Sequence, residues 1–195
     1  KKKLIKDNHS NLWSFCLLDP THYRLSICRF WIVMKKIMII SVTSGNNLSL
    51  AKKIGELLHL DSEIITLEDY QLPLYDGKAN IEDKNIIKDL CEKVIGADGF
   101  IFCGPEYNGG SAPILTNAIT WISVTTDYWR DAFLDKIGLI ATHSGGNGNS
   151  FLSTFRQQLE FMGVIVFPRS IKVNKNKEFH EKSTKKIIER FEKLF

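Results

Sequence analysis

Phe100-Ile101-Phe102-Cys103-Gly104-Pro105-Glu106-Tyr107-Asn108-Gly109-Gly110-Ser111 is the stretch on which the fold turns. Phe100 to Cys103 form an apolar run of the kind that fills a strand buried on both faces. Gly104 to Ser111 follow as a tight glycine-rich loop with one aromatic and two polar side chains, and a helical pattern runs from Pro113 to Ile122. In an open parallel sheet, ligands bind outside the carboxyl ends of the strands, where such a loop lies. Its composition suits a flat polar ring. Backbone groups can approach closely at the glycines, Tyr107 offers an apolar face, and Glu106 and Asn108 offer hydrogen-bonding groups.

Outward from this stretch, strands and helices alternate. Ile37 to Val42 is an apolar strand, and Leu48, Ala51, Ile54, Leu57 and Leu58 then recur at helical spacing. Glu63 to Leu67 reads as a second strand and Glu68 to Asn80 as a polar loop. Ile86, Ile87, Leu90 and Val94 mark a helix closed by Gly96. After the third strand, Leu115, Ala118, Ile119 and Ile122 mark the next helix, with Ser111 as its N-cap and Pro113 in its first turn. Ile137 to Thr142 and Val164 to Phe167 are the fourth and fifth strands, separated by the helical stripe Phe151, Phe155, Leu159 and Met162. Ile187, Ile188, Phe191 and Leu194 stripe a last helix rich in Lys and Glu. Strict alternation implies an α/β fold, a parallel sheet with helices on both faces.

The segment Gly104 to Trp121, G-P-E-Y-N-G-G-S-A-P-I-L-T-N-A-I-T-W, resembles the P-E-Y-N-G-S-x-P-x-x-L-K-N-A-I-D-W stretch of the NADPH-dependent FMN reductases. These flavodoxin-like enzymes include azobenzene, quinone and chromate reductases. A looser similarity runs from Met34 to about residue 170. The resemblance implies a flavodoxin-like three-layer sandwich with a five-stranded parallel sheet of order 2-1-3-4-5. It implies non-covalent FMN, NADPH or NADH as co-substrate, a small-molecule electron acceptor, a homodimer or homotetramer, and a cytoplasmic location.

Three loops at one edge are the candidate site. The first runs from Ser41 to Ser49 and joins the first strand to the first helix. Thr43, Ser44, Gly45, Asn46, Asn47 and Ser49 are its candidate ligands for a phosphate. A helix N-terminus offers free N–H groups and a favourable dipole there, although the same residues would also serve as a simple helix cap. No G-K-[ST] follows, which argues against a nucleoside-triphosphate loop. FMN reductases usually show G-S-x-R here, and this chain lacks the Arg. Ser44-Gly45-Asn46-Asn47 also approaches the T-G-N-T of electron-carrier flavodoxins. In the second loop the resemblance assigns Pro105, Glu106, Tyr107, Asn108 and Gly109 to the isoalloxazine ring. The third loop, Thr142 to Asn149, is similar to the family's S-x-G-G-x-G loop. The resemblance places Ser144, Gly145 and Gly146 along the other edge of the ring, and His143 reads as a donor to the flavin's carbonyl edge, as a contact for an acceptor, or as a solvated or capping residue. The pair Gly146-x-Gly148 lacks the third glycine and the later acidic residue of a dinucleotide-binding fingerprint.

Composition excludes several classes. A chain of 195 residues, 44% hydrophobic and 25% charged, suits one soluble globular domain. Lys1, Lys2, Lys3, Lys6, Arg24 and Arg29 against Asp7 and Asp19 give residues 1–33 the whole net charge of +4. The remainder is neutral and offers no electrostatic case for nucleic acid. Residues 1–33 show no clear period, and Asp19-Pro20 breaks their only apolar stretch. They are expected to be a non-native or disordered leader, with 34–195 the FMN-binding domain starting at Met34; the competing reading is a real N-terminal arm. No apolar run is long enough to span a membrane. Cys16, Cys28, Cys91 and Cys103 form no C-x-x-C pair, so neither a disulfide framework nor a zinc site is expected. Cys103 reads either as a buried thiol or as a reactive one beside the flavin. Trp121, Tyr128, Trp129 and Arg130 read equally as an interface or as cover for the core.

The expected function is therefore an FMN-dependent NAD(P)H oxidoreductase. Hydride would pass from the nicotinamide to FMN and then to a quinone, azo compound, flavin or similar acceptor. No side chain is required as a general acid or base, and no metal is expected. A flavodoxin-type electron carrier and a flavin-free binding domain of the same fold are the alternatives.

Overall fold

The computed structural model describes residues 35–78 and 84–195. The expected leader, the Met34 start and the end of the Glu68–Asn80 loop lie outside the described residues. The elements are β1 (Lys36–Ser41), α1 (Asn46–Gly55), β2 (Asp61–Thr66), a 3-10 turn (Leu67–Asp69), α2 (Lys84–Gly96) and β3 (Gly99–Cys103). There follow β4 (Glu106–Tyr107), β5 (Gly110–Ser111), α3 (Pro113–Thr125), β6 (Ile137–His143), α4 (Asn149–Phe161), β7 (Ile165–Val166), β8 (Ile171–Val173) and α5 (Glu181–Glu192). The main sheet is parallel with order β2-β1-β3-β6-β7, and β8 also pairs with β6. With β7 and β8 taken as one interrupted strand, this is the 2-1-3-4-5 order implied by the resemblance.

The period of two along each strand builds two cores. Met38 and Ile40 of β1 and Phe100 and Phe102 of β3 pack on one face with residues of α2, α3 and α4. Ile37, Ile39, Ile101 and Cys103 pack on the other face with α1 and α5. Both faces are covered, so these strands read as unbroken apolar runs rather than alternating ones.

The fifth strand and the cap of α3 differ from the sequence reading. The fifth strand is split: Phe167 to Ser170 stand opposite only Leu139 and Ile140, so the chain detours before it rejoins β6 at Ile171. Pro168 carries no N–H for the ladder. The Arg156 guanidinium of α4 donates to the carbonyls of Val166 (3.2 Å) and Phe167 (2.8 Å) at the detour. The N-cap of α3 is Ala112, not Ser111, and no side chain caps the helix. Ser111 is instead held in β5 opposite Glu106. Of the aromatic residues read as interface or core cover, Trp121 covers the core. Trp121 is buried, and its Nε1 donates to Pro73 O at 2.7 Å. Tyr128 and Trp129 are exposed, with the Arg130 guanidinium 4.3 Å from the Trp129 ring centroid.

Asn117 and Trp121 belong to the N-A-I-x-W motif, and both hold a loop. Asn117 Oδ1 accepts from Tyr75 N–H at 2.9 Å and its Nδ2 donates to Pro73 O at 3.0 Å. Tyr75 meets Trp121 edge-on at 5.2 Å. The connection after β2 is thereby fastened to α3. Among the described residues no helix is long and apolar enough to cross a membrane.

Candidate active site at the carboxyl edge of the sheet

The loops after β1, β3 and β6 open at one edge because parallel strands present their carboxyl ends together. Backbone bonds keep those ends level. Val42 N–H donates to Cys103 O at 2.8 Å, and Gly104 N–H to Ala141 O at 3.1 Å. A side chain at Gly104 would meet Val42 at 2.8 Å and Phe151 at 2.9 Å, so only glycine lets the second loop leave the sheet here.

In the first loop, the buried Ser41 hydroxyl donates to Thr43 O at 2.7 Å. Gly45 has φ 74° and ψ −125°, a conformation that L side chains rarely adopt. It starts α1, and no side chain caps that helix. The first-turn N–H groups of Asn46, Asn47 and Leu48 therefore lack intrahelical acceptors. Ser44, Gly45, Asn46 and Ser49 are exposed and Thr43 is half-buried. Ser44 N–H donates to Glu68 Oε2 at 2.7 Å. Hydrogen bonds from the Ser44 side chain and backbone hold the Glu68 carboxyl below its usual range.

Asn47 has a different place. It is 3% exposed, its Oδ1 accepts from His143 N–H at 2.9 Å, and its Nδ2 donates to His143 O at 3.1 Å. One amide thus ties the first loop to the third.

The second loop is a hairpin. Glu106 pairs with Ser111 and Tyr107 with Gly110. Asn108 (φ 49°) and Gly109 (φ 75°) form the turn. Positive φ at both central residues matches a type I′ turn, which Asn-Gly favours. Pro105 is buried, while Tyr107 is half exposed and Asn108 and Gly109 are exposed. The Glu106 side chain, read above as free to bind a ligand, is engaged elsewhere. Its Oε2 accepts from the N–H groups of Ser150 (2.8 Å) and Phe151 (3.1 Å) and so caps α4. A carboxylate satisfies orphan donors and complements the helix dipole there.

The third loop is braced against the second. Ser144 is buried, its Oγ accepts from Glu106 N–H at 2.8 Å, and it lies 2.7 Å from Thr142 Oγ1. Ser144 N–H donates to Val173 O at 3.2 Å, so the detour in the fifth strand returns in time to support this loop. Gly145 and Gly146 are exposed and His143 is half-buried.

Asn46, Ser49 and His143 share a cavity of about 450 Å³ with Lys53, Lys175 and Phe179. Lys53 Nζ sits 5.3 Å from the Phe179 ring centroid. On the opposite face, Glu68, Leu72, Ile114 and Asn117 line a cleft of about 220 Å³. Lys53, Glu68, Lys175 and Phe179 were not among the residues read from sequence. Lys53 had a signal, since Asn46, Ser49 and Lys53 fall on one face of α1 at helical spacing. Lys175 and Phe179 had none, because the chain after β8 carries no motif. Cys103 is fully buried, and burial pushes its thiol far above the usual range, which makes it inert rather than reactive. Among the described residues no cluster of His, Cys, Asp and Glu could hold a metal ion.

Comparison with known proteins places this edge in context. Residues 34–178 match the family model described as NADPH-dependent FMN reductase. The chain is 30% identical over 141 residues to an NADPH azoreductase of Bacillus sp. (strain OY1-2), covering 70% of this chain and 75% of that one. It is 28% identical over 130 residues to an NAD(P)H-dependent FMN reductase of Schizosaccharomyces pombe, covering 62% of each chain. Among solved structures, a flavoenzyme NAD(P)H:(acceptor) oxidoreductase of Paracoccus denitrificans superposes with TM-score 0.66 at 18% identity, covering 80% of this chain and 94% of that one.

Proposed function

The chain belongs to the NADPH-dependent FMN reductases, and on that premise we propose that it oxidises NADPH or NADH and delivers the electrons, through bound FMN, to a quinone, azo compound, free flavin or similar small acceptor. One observation carries the reading. An uncapped helix N-terminus at Asn46, a half-exposed Tyr107 on a hairpin and the exposed pair Gly145-Gly146 converge on a single sheet edge. That donor set fits FMN, with N–H groups for a phosphate and an aromatic face with accessible backbone for a flat ring. Bound FMN supplies the hydride-accepting and electron-donating chemistry.

The residues divide into holders and frame. Ser44, Asn46 and Ser49, with the first-turn N–H groups of α1, are the phosphate holders. Tyr107, Asn108 and Gly109 hold one edge of the ring, and His143, Gly145 and Gly146 the other. Asn47, Glu106 and Ser144 keep the three loops in register through bonds to the protein itself. We also infer a homodimer or homotetramer, supported by the exposed Tyr128, Trp129 and Phe161; a monomer in light scattering would refute it.

The test is the visible spectrum of the purified protein before and after FMN addition and desalting, followed by NADPH and NADH oxidation with menadione or an azo dye. Retained flavin bands and acceptor-dependent oxidation are expected. Retained flavin without nicotinamide oxidation would mark an electron carrier, and absence of flavin would refute the reading.

A further inference from the structure

Glu68 brings a negative charge to the loop proposed to hold the phosphate. The segment from Ser41 to Ser49 contains no Lys or Arg. Its Ser44 N–H, the donor just ahead of the uncapped α1, is already taken by the Glu68 carboxylate at 2.7 Å. The loop therefore carries an anion of its own. A carboxylate on a backbone N–H is a charge-assisted bond, and a phosphate oxygen would use the same donor.

We propose that Glu68 is an intramolecular competitor for the phosphate end of the flavin, and so sets the protein's preference between phosphorylated and unphosphorylated flavins. This rests on the FMN reading above. The architecture suits an exchangeable side chain on a fixed backbone. Leu67 beside it is 2% exposed and locked in the core, while Glu68 itself is exposed. Glu68 also borders the 220 Å³ cleft with Leu72, Ile114 and Asn117, which leaves its side chain room to turn. A phosphate that reaches Ser44 meets either an occupied donor or a displaced like charge close by. An unphosphorylated flavin meets neither. The residue thus lowers affinity for FMN selectively and leaves riboflavin recognition unchanged.

The experiment compares the full chain with its Glu68→Gln and Glu68→Ala variants, titrating FMN and riboflavin separately by flavin fluorescence. Glu68→Gln keeps an acceptor for Ser44 and removes only the charge. It is expected to tighten FMN about tenfold while riboflavin moves by less than about twofold, given two like-charged groups a few ångströms apart near the surface. The gain should shrink in about 1 M salt, where the screening length falls to roughly 3 Å. Unchanged FMN affinity in both variants, or equal gains for both flavins, would overturn the proposal. Inorganic phosphate followed by the 15N–1H signal of Ser44 separates it from the FMN reading. Tighter phosphate binding in Glu68→Gln with no flavin bound by any variant would sustain the competitor and sink the cofactor. Phosphate binding unaffected by the substitution would sink the competitor whatever the flavin does.

Discussion

Replacing Asn47 with alanine isolates the joint between the first and third loops. The substitution removes hydrogen bonds of 2.9 Å and 3.1 Å to the backbone of His143, across 96 positions of chain. A backbone group left without a partner costs about 1–3 kcal/mol when buried. His143 is only half-buried, so water reaches part of the gap and the lower end applies to each group. Alanine returns about 0.5 kcal/mol as the better helix former in the first turn of α1. The net loss is about 1.5 kcal/mol, which for a domain of this size lowers Tm by roughly 3–6 °C. Urea unfolding reads it as a lower midpoint at unchanged slope, and amide exchange at His143 should quicken. Asn47→Asp keeps an acceptor for the His143 N–H but sets a second oxygen against the His143 carbonyl, so it should rescue only part of the loss. Stability of Asn47→Ala within about 0.5 kcal/mol of the parent, with His143 exchange unaltered, would refute the reasoning.

Glu106→Ala should uncap α4, cost about 1 kcal/mol and speed exchange at the Ser150 and Phe151 amides; unchanged exchange there would contradict the capping role. Gly109→Val forces a β-branched residue to φ 75°, so chemical denaturation should show a loss of at least about 1–2 kcal/mol. Glu192 is partly desolvated, which raises its pKa, but bonds from the N–H groups of His59 (2.6 Å) and Leu60 (3.0 Å) and from the His59 ring outweigh this and hold the carboxyl below its usual range. A folded pKa below the unfolded value stabilises above roughly pH 4.3 and loses that contribution as pH falls through the folded value. Glu192→Gln should therefore destabilise at pH 7 and converge on the parent in acid, as pH-dependent urea midpoints would reveal.

The sheet was legible because its strands are covered on both faces. Ile37 to Val42 and Phe100 to Cys103 could hardly be anything else once helical stripes were seen between them. The split fifth strand was harder, since β8 contributes only Ile171 to Val173 and lies beyond Pro168. Pairing with β6 over such a short run depends on the neighbour already being in place, which no local pattern records. The hairpin has a sequence signal in Asn108-Gly109, which favours a type I′ turn, but its strands span only Glu106–Tyr107 and Gly110–Ser111, too short for an alternating pattern. Residue types at the site were readable, while their partners were not. Glu106 looks like a ligand group until α4 is packed beside it, and Asn47 looks like a loop residue until His143 arrives from a distant segment. Asn117 and Trp121 marked a family in the sequence and proved to fasten the Pro73–Tyr75 backbone.

Hydrogen–deuterium exchange of the full chain with and without saturating FMN tests the central claim most directly. The account predicts slowed exchange concentrated in residues 43–49, 105–111 and 142–149, together at the carboxyl edge of the sheet. FMN that binds yet protects other segments and leaves those three unchanged would contradict it.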